Sequence, residues 1–274
     1  MPTDDLALDA LRSDLPTAIV GRPLLFYECL GSTNDLAKER ARAGAAEGLV
    51  VLADEQTTGR GRQGRAWAAP PGSSLLMSLL LRPAWLPPAD TFALTMLAGA
   101  ALCEAVEQVA PVRTALKWPN DLLLPARPGA PPATHKAAGI LCECELAGDR
   151  IEWVVIGIGV NVNWVPAGQV DGRDLAQVAT SLAAAIGSPI GRGALLRSLL
   201  ARLDTRYTAL RQGRREDLFV AWRGRLATLG QSTVVRLPRG ELQGVAVGVE
   251  QTGALLLRDE RDVVHTILAG DVES

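Results

Sequence analysis

The chain of 274 residues is poor in histidine, lysine and cysteine, and each shortage excludes a class of function. Its two histidines, His135 and His265, are isolated in sequence, so a Ser-His-Asp or Cys-His nucleophilic engine has nothing specific behind it. Four cysteines, Cys29, Cys103, Cys142 and Cys144, with no secretory leader, predict reduced thiols and a cytoplasmic location rather than a disulfide framework. Cys142 and Cys144 form a single Cys-x-Cys with no second pair, which is poor evidence for zinc. No apolar run reaches the roughly 18 residues of a membrane span, and the start, Met-Pro-Thr-Asp-Asp, is acidic where a signal peptide is basic, so no membrane partner is expected. Positive charge is not in excess either. The 28 Lys plus Arg against 30 Asp plus Glu give a net charge of −2, with no overall field to hold a nucleic acid. Any phosphate binding therefore has to be local.

What is present is ordinary globular material, 48% hydrophobic and 21% charged, long enough for one large domain or a large and a small one. A short helix is expected over residues 4 to 14 and a strand over Leu24 to Cys29. Ser32-Thr33-Asn34-Asp35 then caps a helix ahead of Leu36 to Ala43. Further strands are expected over Leu49 to Ala53, Leu75 to Leu81, around Leu116, and over Asp121 to Leu124, Ala137 to Glu145 and Ile151 to Val160. A long helix covers Phe92 to Val109, and helices fill Asp174 to about Gly224. The Pro-rich stretch from Pro125 to Pro132 reads as an extended loop. From Thr228 the pattern changes to short strands at Val234-Val235, Val245 to Val247, Leu255 to Leu257 and Val263 to Ile267, a small β-barrel.

Three stretches carry candidate chemistry. The loop Gly59-Arg60-Gly61-Arg62-Gln63-Gly64-Arg65 combines glycines, which let backbone N–H groups approach an anion, with arginines. If the loop is extended, Arg60 and Arg62 project to one side. It suits a phosphate or carboxylate and would act as a lid, although a solvated turn or an RGG-like tether has the same composition. The second stretch is Leu116-Lys117-Trp118-Pro119-Asn120-Asp121, whose Pro-Asn turn would aim Lys117, Asn120 and Asp121 at a common region. Lysine offers a point charge to a phosphate, Asn and Asp oxygens can hold a hydrated Mg²⁺, and Asp can take a proton. A purely structural hairpin explains Pro-Asn-Asp but not a lysine in a chain with only three, Lys38, Lys117 and Lys136. The third stretch comprises two strands. Lys136-Ala137-Ala138-Gly139 opens one with small residues, and Gly157-Ile158-Gly159-Val160-Asn161 closes the other; both allow close approach to backbone. Lacking a third glycine and a following helix, the latter is not a dinucleotide fingerprint. The tryptophans other than Trp67 and Trp118 are read as core.

Taken in order, five motifs resemble those of the biotin protein ligases: Gly31 to Asn34, Asp54 to Trp67, Leu116 to Asp121, Lys136 to Leu141 and Gly157 to Asn161. The resemblance implies an α+β fold. A mixed β-sheet catalytic domain flanked by helices, class II synthetase-like and of the biotin/lipoate ligase type, spans residues 1–227, and a small SH3-like β-barrel spans 228–274. It implies activation of biotin by ATP and Mg²⁺ to biotinyl-5′-AMP, then transfer to a lysine of a biotin carboxyl carrier protein or domain, as in acetyl-CoA carboxylase. No redox cofactor is expected. The family's bifunctional members carry an N-terminal winged helix, and the sequence looks like the ligase-only class without it. A lipoate-type acyl ligase and a non-catalytic biotin-sensing nucleic-acid-binding regulator are the alternatives. Whether the protein is a monomer or a homodimer is open.

By the same resemblance Lys136, Lys117, Arg62 and Asp121 are catalytic. Biotin is held by Ser32, Thr33, Asn34, Gln56, Arg60, Gly61, Arg62, Lys136, Gly139, Gly157 and Gly159. ATP is met by Arg65, Trp67, Lys117, Asn120 and Asn161, with Asn120 also near the metal. The ureido head of biotin offers donors and an acceptor that short hydroxyl and amide side chains can pair, whereas the dithiolane of lipoate offers none. Two features depart from the family: Leu76, where an aromatic residue often stands, and a long loop from Pro125 to His135.

Overall fold

The computed structural model describes residue 6 and residues 13–131, 134–170, 173–237 and 240–273, so the helix expected over 4–14 lies largely outside the described residues. Strands β1 (Leu24–Leu30), β2 (Val50–Gln56), β3 (Ser74–Leu81), β4 (Ala115–Lys117), β5 (Asp121–Leu124), β6 (His135–Ala147) and β7 (Arg150–Asn161) make a seven-stranded sheet. Its order is β1-β2-β3-β7-β6-β5-β4; the β1–β2 pair is parallel and every other pair antiparallel.

Central strand β3 is buried along its whole length, and its alternation decides what each face becomes. Leu75, Met77, Leu79 and Leu81 join the main core with helix α2 (Phe92–Val109). Ser74, Leu76, Ser78 and Leu80 point to the opposite face. There Leu80 joins Val51, Val155 and Trp153 beneath Ala37 and Ala41 of helix α1 (Thr33–Arg42). Ser32 caps α1 as expected, its hydroxyl accepting from the Asp35 N–H.

The segment Pro88–Val109 is long and apolar enough to cross a membrane, correcting the expectation that no run of that length is present. The fold encloses it instead: Ala93 through Cys103 are all buried, and Gly99 admits Leu116, whose Cδ1 lies 3.2 Å from where a Cβ would stand. A ribbon of β8 (Gln169–Val170) and β9 (Arg173–Asp174) precedes two short helices, α3 (Leu175–Val178) and α4 (Leu182–Ile186). Helices α5 (Arg192–Arg211) and α6 (Arg215–Arg223) then cover α2.

The C-terminal part is an antiparallel sheet ordered β13-β12-β11-β10-β14, the arrangement of an SH3-like barrel. Its strands are β10 (Ser232–Leu237), β11 (Gly240–Val249), β12 (Leu255–Arg258), β13 (Val264–Ile267) and β14 (Asp271–Glu273). The last of these was not expected. Val235, Ala246, Leu255 and Leu257 join the same apolar cluster as α2, so one core runs through both sheets. Trp118 is part of that seam rather than of an open site: it is 1% exposed and its Nε1 donates to Gly253 O at 2.9 Å. Conversely Trp85, expected in the core, is 39% exposed.

One buried carboxylate closes the described N-terminal stretch. Asp204 of α5 accepts backbone N–H bonds from Ala18, Ile19 and Val20 at 3.1, 2.7 and 2.8 Å. Asp204→Ala would strand three donors, and a loss of about 3 kcal/mol is expected, read as a shift in the urea midpoint with an unchanged m-value.

Candidate active site

The strand register lays one row of residues across six strands. Ala53, Leu76, Gly159, Gly139, Asp121 and Lys117 are successive cross-strand partners, and such partners share a face. The row therefore runs from an apolar end, over two glycines, to a carboxylate and an ammonium. The next row on the same face holds Val51, Ser78, Gly157 and Leu141.

Regular alternation from Gly139 would put Lys136 on the opposite, core face. A bulge prevents this: Leu122 pairs with Ala138 but Leu123 pairs with Lys136, leaving Ala137 as the extra residue. Ala137 and Ala138 are both fully buried, and Lys136 turns onto the glycine face. Its Nζ lies 2.7 Å from Asp121 Oδ1 and 5.6 Å from the centre of the Trp67 ring. The two small alanines in Lys136-Ala-Ala-Gly thus serve the bulge.

The glycines make room chiefly for the protein's own side chains. A Cβ at Gly159 would stand 2.6 Å from Trp67 Cε2, and one at Gly157 would stand 2.2 Å from Asn34 Oδ1. Trp67 lies across Gly159 and Gly139, and its Nε1 is buried without a hydrogen-bond partner.

The arginine loop is a folded-back hairpin and not an extended strand, because Gly61 N bonds to Arg65 O and a tight turn at Arg62–Gly64 places Gln63 at φ 56°. Arg60 and Arg62 consequently point to different partners, correcting the expectation of a common side. Arg60 pairs with Asp35 at the start of α1. Arg62 reaches Asn120 Oδ1 at 3.2 Å and Gly270 O at 3.3 Å, with Asp271 3.5 Å away, and Arg65 also pairs with Asp271. Burial pushes the Asp35 carboxyl up, but hydrogen bonds from Arg60 and Lys38 outweigh it and hold the group below the usual carboxylate range.

Beneath the loop, Gln56 Oε1 accepts from Thr33 N–H at 2.7 Å, and Ser32, Thr33 and Asn34 are all buried. Asn34 does not offer its amide to this space: Oδ1 accepts from Ser78 and Nδ2 donates to Glu143. Asn120 likewise donates from Nδ2 to Ile140 O and accepts at Oδ1 from Arg62. Asn161 is 3% exposed and donates to Thr180 O, bracing the segment before α4. The two asparagines expected to face nucleotide or metal are thus built into the scaffold. Among the described residues no three His, Cys, Asp or Glu side chains cluster as a metal nest.

Sequence reasoning passed over Ser78, Glu143, Asp35, Lys38 and Asp271. Lys38 was nonetheless flagged by the scarcity of lysine, and it pairs with Glu143 and Asp35 at 2.7 and 3.1 Å. Ser78, Glu143 and Asp271 carry no local signal, since their partners lie at distant positions in the chain, whereas Asp35 pairs with Lys38 one helical turn on.

A model described as the Biotin/lipoate A/B protein ligase family matches residues 26–161, and one for the Biotin protein ligase C terminal domain matches residues 228–273. Over 98% of its length the chain is 34% identical to the Bifunctional ligase/repressor BirA of Bacillus subtilis, covering 79% of that protein. The chain belongs to the biotin protein ligase family. This family membership places it among ATP-dependent ligases. It is also 34% identical to the Biotin--[acetyl-CoA-carboxylase] ligase of Mycobacterium tuberculosis, over 88% of this chain and 85% of that one. Among solved structures, the biotin protein ligase of Aquifex aeolicus in complex with biotin and ATP superposes with a TM-score of 0.72 at 26% identity, covering 92% and 98% of the two chains.

The contact between Trp67 and Gly159 is testable in this biotin protein ligase. Gly159→Ala should drive the indole off the floor, because the nearest ring atoms cannot yield by the required distance. Acrylamide quenching attributable to Trp67, taken as the difference from a Trp67→Phe background, should rise; unchanged quenching would contradict the packing.

Proposed function

We propose that the protein activates biotin with ATP to biotinyl-5′-AMP and transfers the biotinyl group to a lysine of a biotin carboxyl carrier domain, working in the cytoplasm. The observation that carries this reading is the convergence of Lys136, Asp121 and Lys117 at one end of the glycine row, under a loop bearing Arg60, Arg62 and Arg65. Residues 1–227 would form the catalytic unit and 228–274 the barrel, and Mg²⁺ would enter on the nucleotide.

In the first step a biotin carboxylate oxygen bonds to the α-phosphorus and pyrophosphate leaves. Two like charges about 4 Å apart repel by roughly 4 kcal/mol at an effective dielectric of 20, about three decades of rate. Three of the cations that would cancel this repulsion rest on protein acceptors in the structure: Lys136 on Asp121, Arg60 on Asp35, and Arg62 on Asn120 and Asp271. Substrate oxygens would replace those acceptors one for one. Lys136 leaving Asp121 for the acyl-phosphate oxygen also frees that carboxylate to orient the acceptor amine and take its proton as the amine attacks the acyl carbon and AMP departs. The hydroxyls and amides of Ser32, Thr33 and Gln56 would pair the ureido head. Folding the loop over the mixed anhydride would keep water from it.

The direct test is biotin-dependent exchange of labelled pyrophosphate into ATP, with a biotin-sized mass increment on a co-expressed carrier domain. Exchange with lipoate and none with biotin would overturn the substrate assignment. Lys136→Ala should lower exchange by about 10³-fold, and turnover equal to the unaltered protein would remove Lys136 from its role. Arg60→Ala should instead leave exchange measurable but speed release of the adenylate into solution, read as free biotinyl-5′-AMP over time.

A further inference from the structure

Glu143 lies on β6, cross-strand from Val155 and below α1, outside the row that carries the reactive groups. Its two oxygens have separate duties. Oε2 accepts from Asn34 Nδ2 at 2.7 Å, and Oε1 accepts from Lys38 Nζ at 2.7 Å. Asn34 Oδ1 in turn lies 2.5 Å from Ser78 Oγ, which is 2.8 Å from Thr33 Oγ1. Thr33 meets Gln56 Oε1 through both its hydroxyl, at 3.0 Å, and its N–H, at 2.7 Å. These contacts connect Glu143, through Asn34, Ser78 and Thr33, to the residues that would pair the head of biotin, the last link being the Thr33 N–H to Gln56.

Hydroxyls donate or accept, and an amide side chain can be turned to present either end. A carboxylate only accepts. Glu143 is therefore the side-chain member of the chain whose direction cannot be reversed. Because it accepts only, Asn34 must turn Nδ2 toward it and Oδ1 toward Ser78. Ser78 has one proton, and giving it to Asn34 makes the Thr33 hydroxyl the donor in the Ser78–Thr33 contact, so that Gln56 Oε1 is held by the Thr33 N–H alone. With Oε1 drawn inward by Thr33 N–H, Gln56 presents its Nε2 on the loop side, near Gly59. We propose that Glu143 is a specificity-determining positioning residue that sets the donor and acceptor pattern of the head-group pocket through Asn34 and Ser78. This rests on the biotin reading of the site.

Glu143→Gln is the same size but can donate, so Asn34 can turn over and Ser78 can reverse. Two opposed patterns then compete, and only one matches the ureido group. The dissociation constant for biotin, measured by calorimetric titration, should rise about tenfold, the worth of one hydrogen bond. The exchange rate at saturating biotin should stay within about threefold, since the reacting end is untouched. Lys38→Met removes the ion pair while leaving an acceptor-only Glu143, and should change biotin affinity by less than about threefold. The exchanged pair Asn34→Asp with Glu143→Gln restores a carboxylate facing Ser78 and a donor facing it from position 143, and should recover most of the lost affinity. Equal biotin affinity in Glu143→Gln and the unaltered protein would overturn the inference, as would equal losses in Glu143→Gln and Lys38→Met. Should Glu143→Gln fail to fold, as judged by thermal unfolding, the exchanged pair decides: near-normal affinity supports the inference and lost affinity overturns it. No biotin binding by the unaltered protein would overturn the functional reading itself, and this inference with it.

Discussion

The Lys136–Asp121 pair is the contact around which the site is arranged, and it exists because one residue of β6 is left out of the ladder. Without the bulge at Ala137, the only lysine on β6 would point into the leucine and isoleucine core, where an unpaired ammonium is expensive. With it, two alanines fill the core side and the ammonium faces the glycines. The side chains of the pair are 35% and 23% exposed, so the attraction is screened and adds little to stability. A weakly held pair of this kind suits groups that must exchange partners during a reaction. A buried pair of the same geometry would cost several kcal/mol to open.

Much of the fold was legible because period and punctuation agree. Phe92 to Val109 is a helix with the expected limits, Asp121 to Leu124 is a strand with the expected limits, and the Leu75 to Leu81 run is the central strand, extended by Ser74. Trp118 was misplaced because a motif drew attention to it, while its indole is covered by a hairpin over a hundred residues away in sequence. The geometry of the arginine loop was missed for a different reason. Three glycines permit many backbone paths, and the folded-back one is held by the Gly61 N–Arg65 O and Trp67 N–Gly59 O bonds together with pairing to Asp35 and Asp271. Strand β14 has three residues and no periodicity to read.

The two sheets are joined at places that matter to the site. Trp118 ties the turn carrying Lys117 and Asp121 to the β11–β12 hairpin through Gly253 O, and its own N–H bonds to Thr228 Oγ1 at 2.9 Å. On the opposite flank Asp271 and Gly270 receive Arg62 and Arg65 from the loop. The C-terminal sheet therefore contacts the fixed cation-bearing turn and the movable cation-bearing loop alike. A displacement of either is felt at β14 or at the hairpin through these hydrogen bonds and ion pairs and through the shared apolar core.

The two ends of the site use different chemistry, and they meet at one cation. In the proposed reaction the reacting end would rely on full charges, where strength matters and partners must change. The head end relies on neutral hydroxyls and amides, where direction matters and partners must not. Lys38 stands between them, bonded to Glu143 of the neutral chain at 2.7 Å and to Asp35 at 3.1 Å, and Asp35 also holds Arg60 of the loop. Burial pushes the Lys38 ammonium down, but hydrogen bonding to both carboxylates outweighs it and keeps the group above its ordinary range. Were Arg60 to leave Asp35 for a substrate oxygen, as proposed, Lys38 would remain to neutralise that carboxylate. The same ammonium would continue to hold Glu143, so that in the proposed reaction the loop could move without disturbing the hydrogen bonds at the head end.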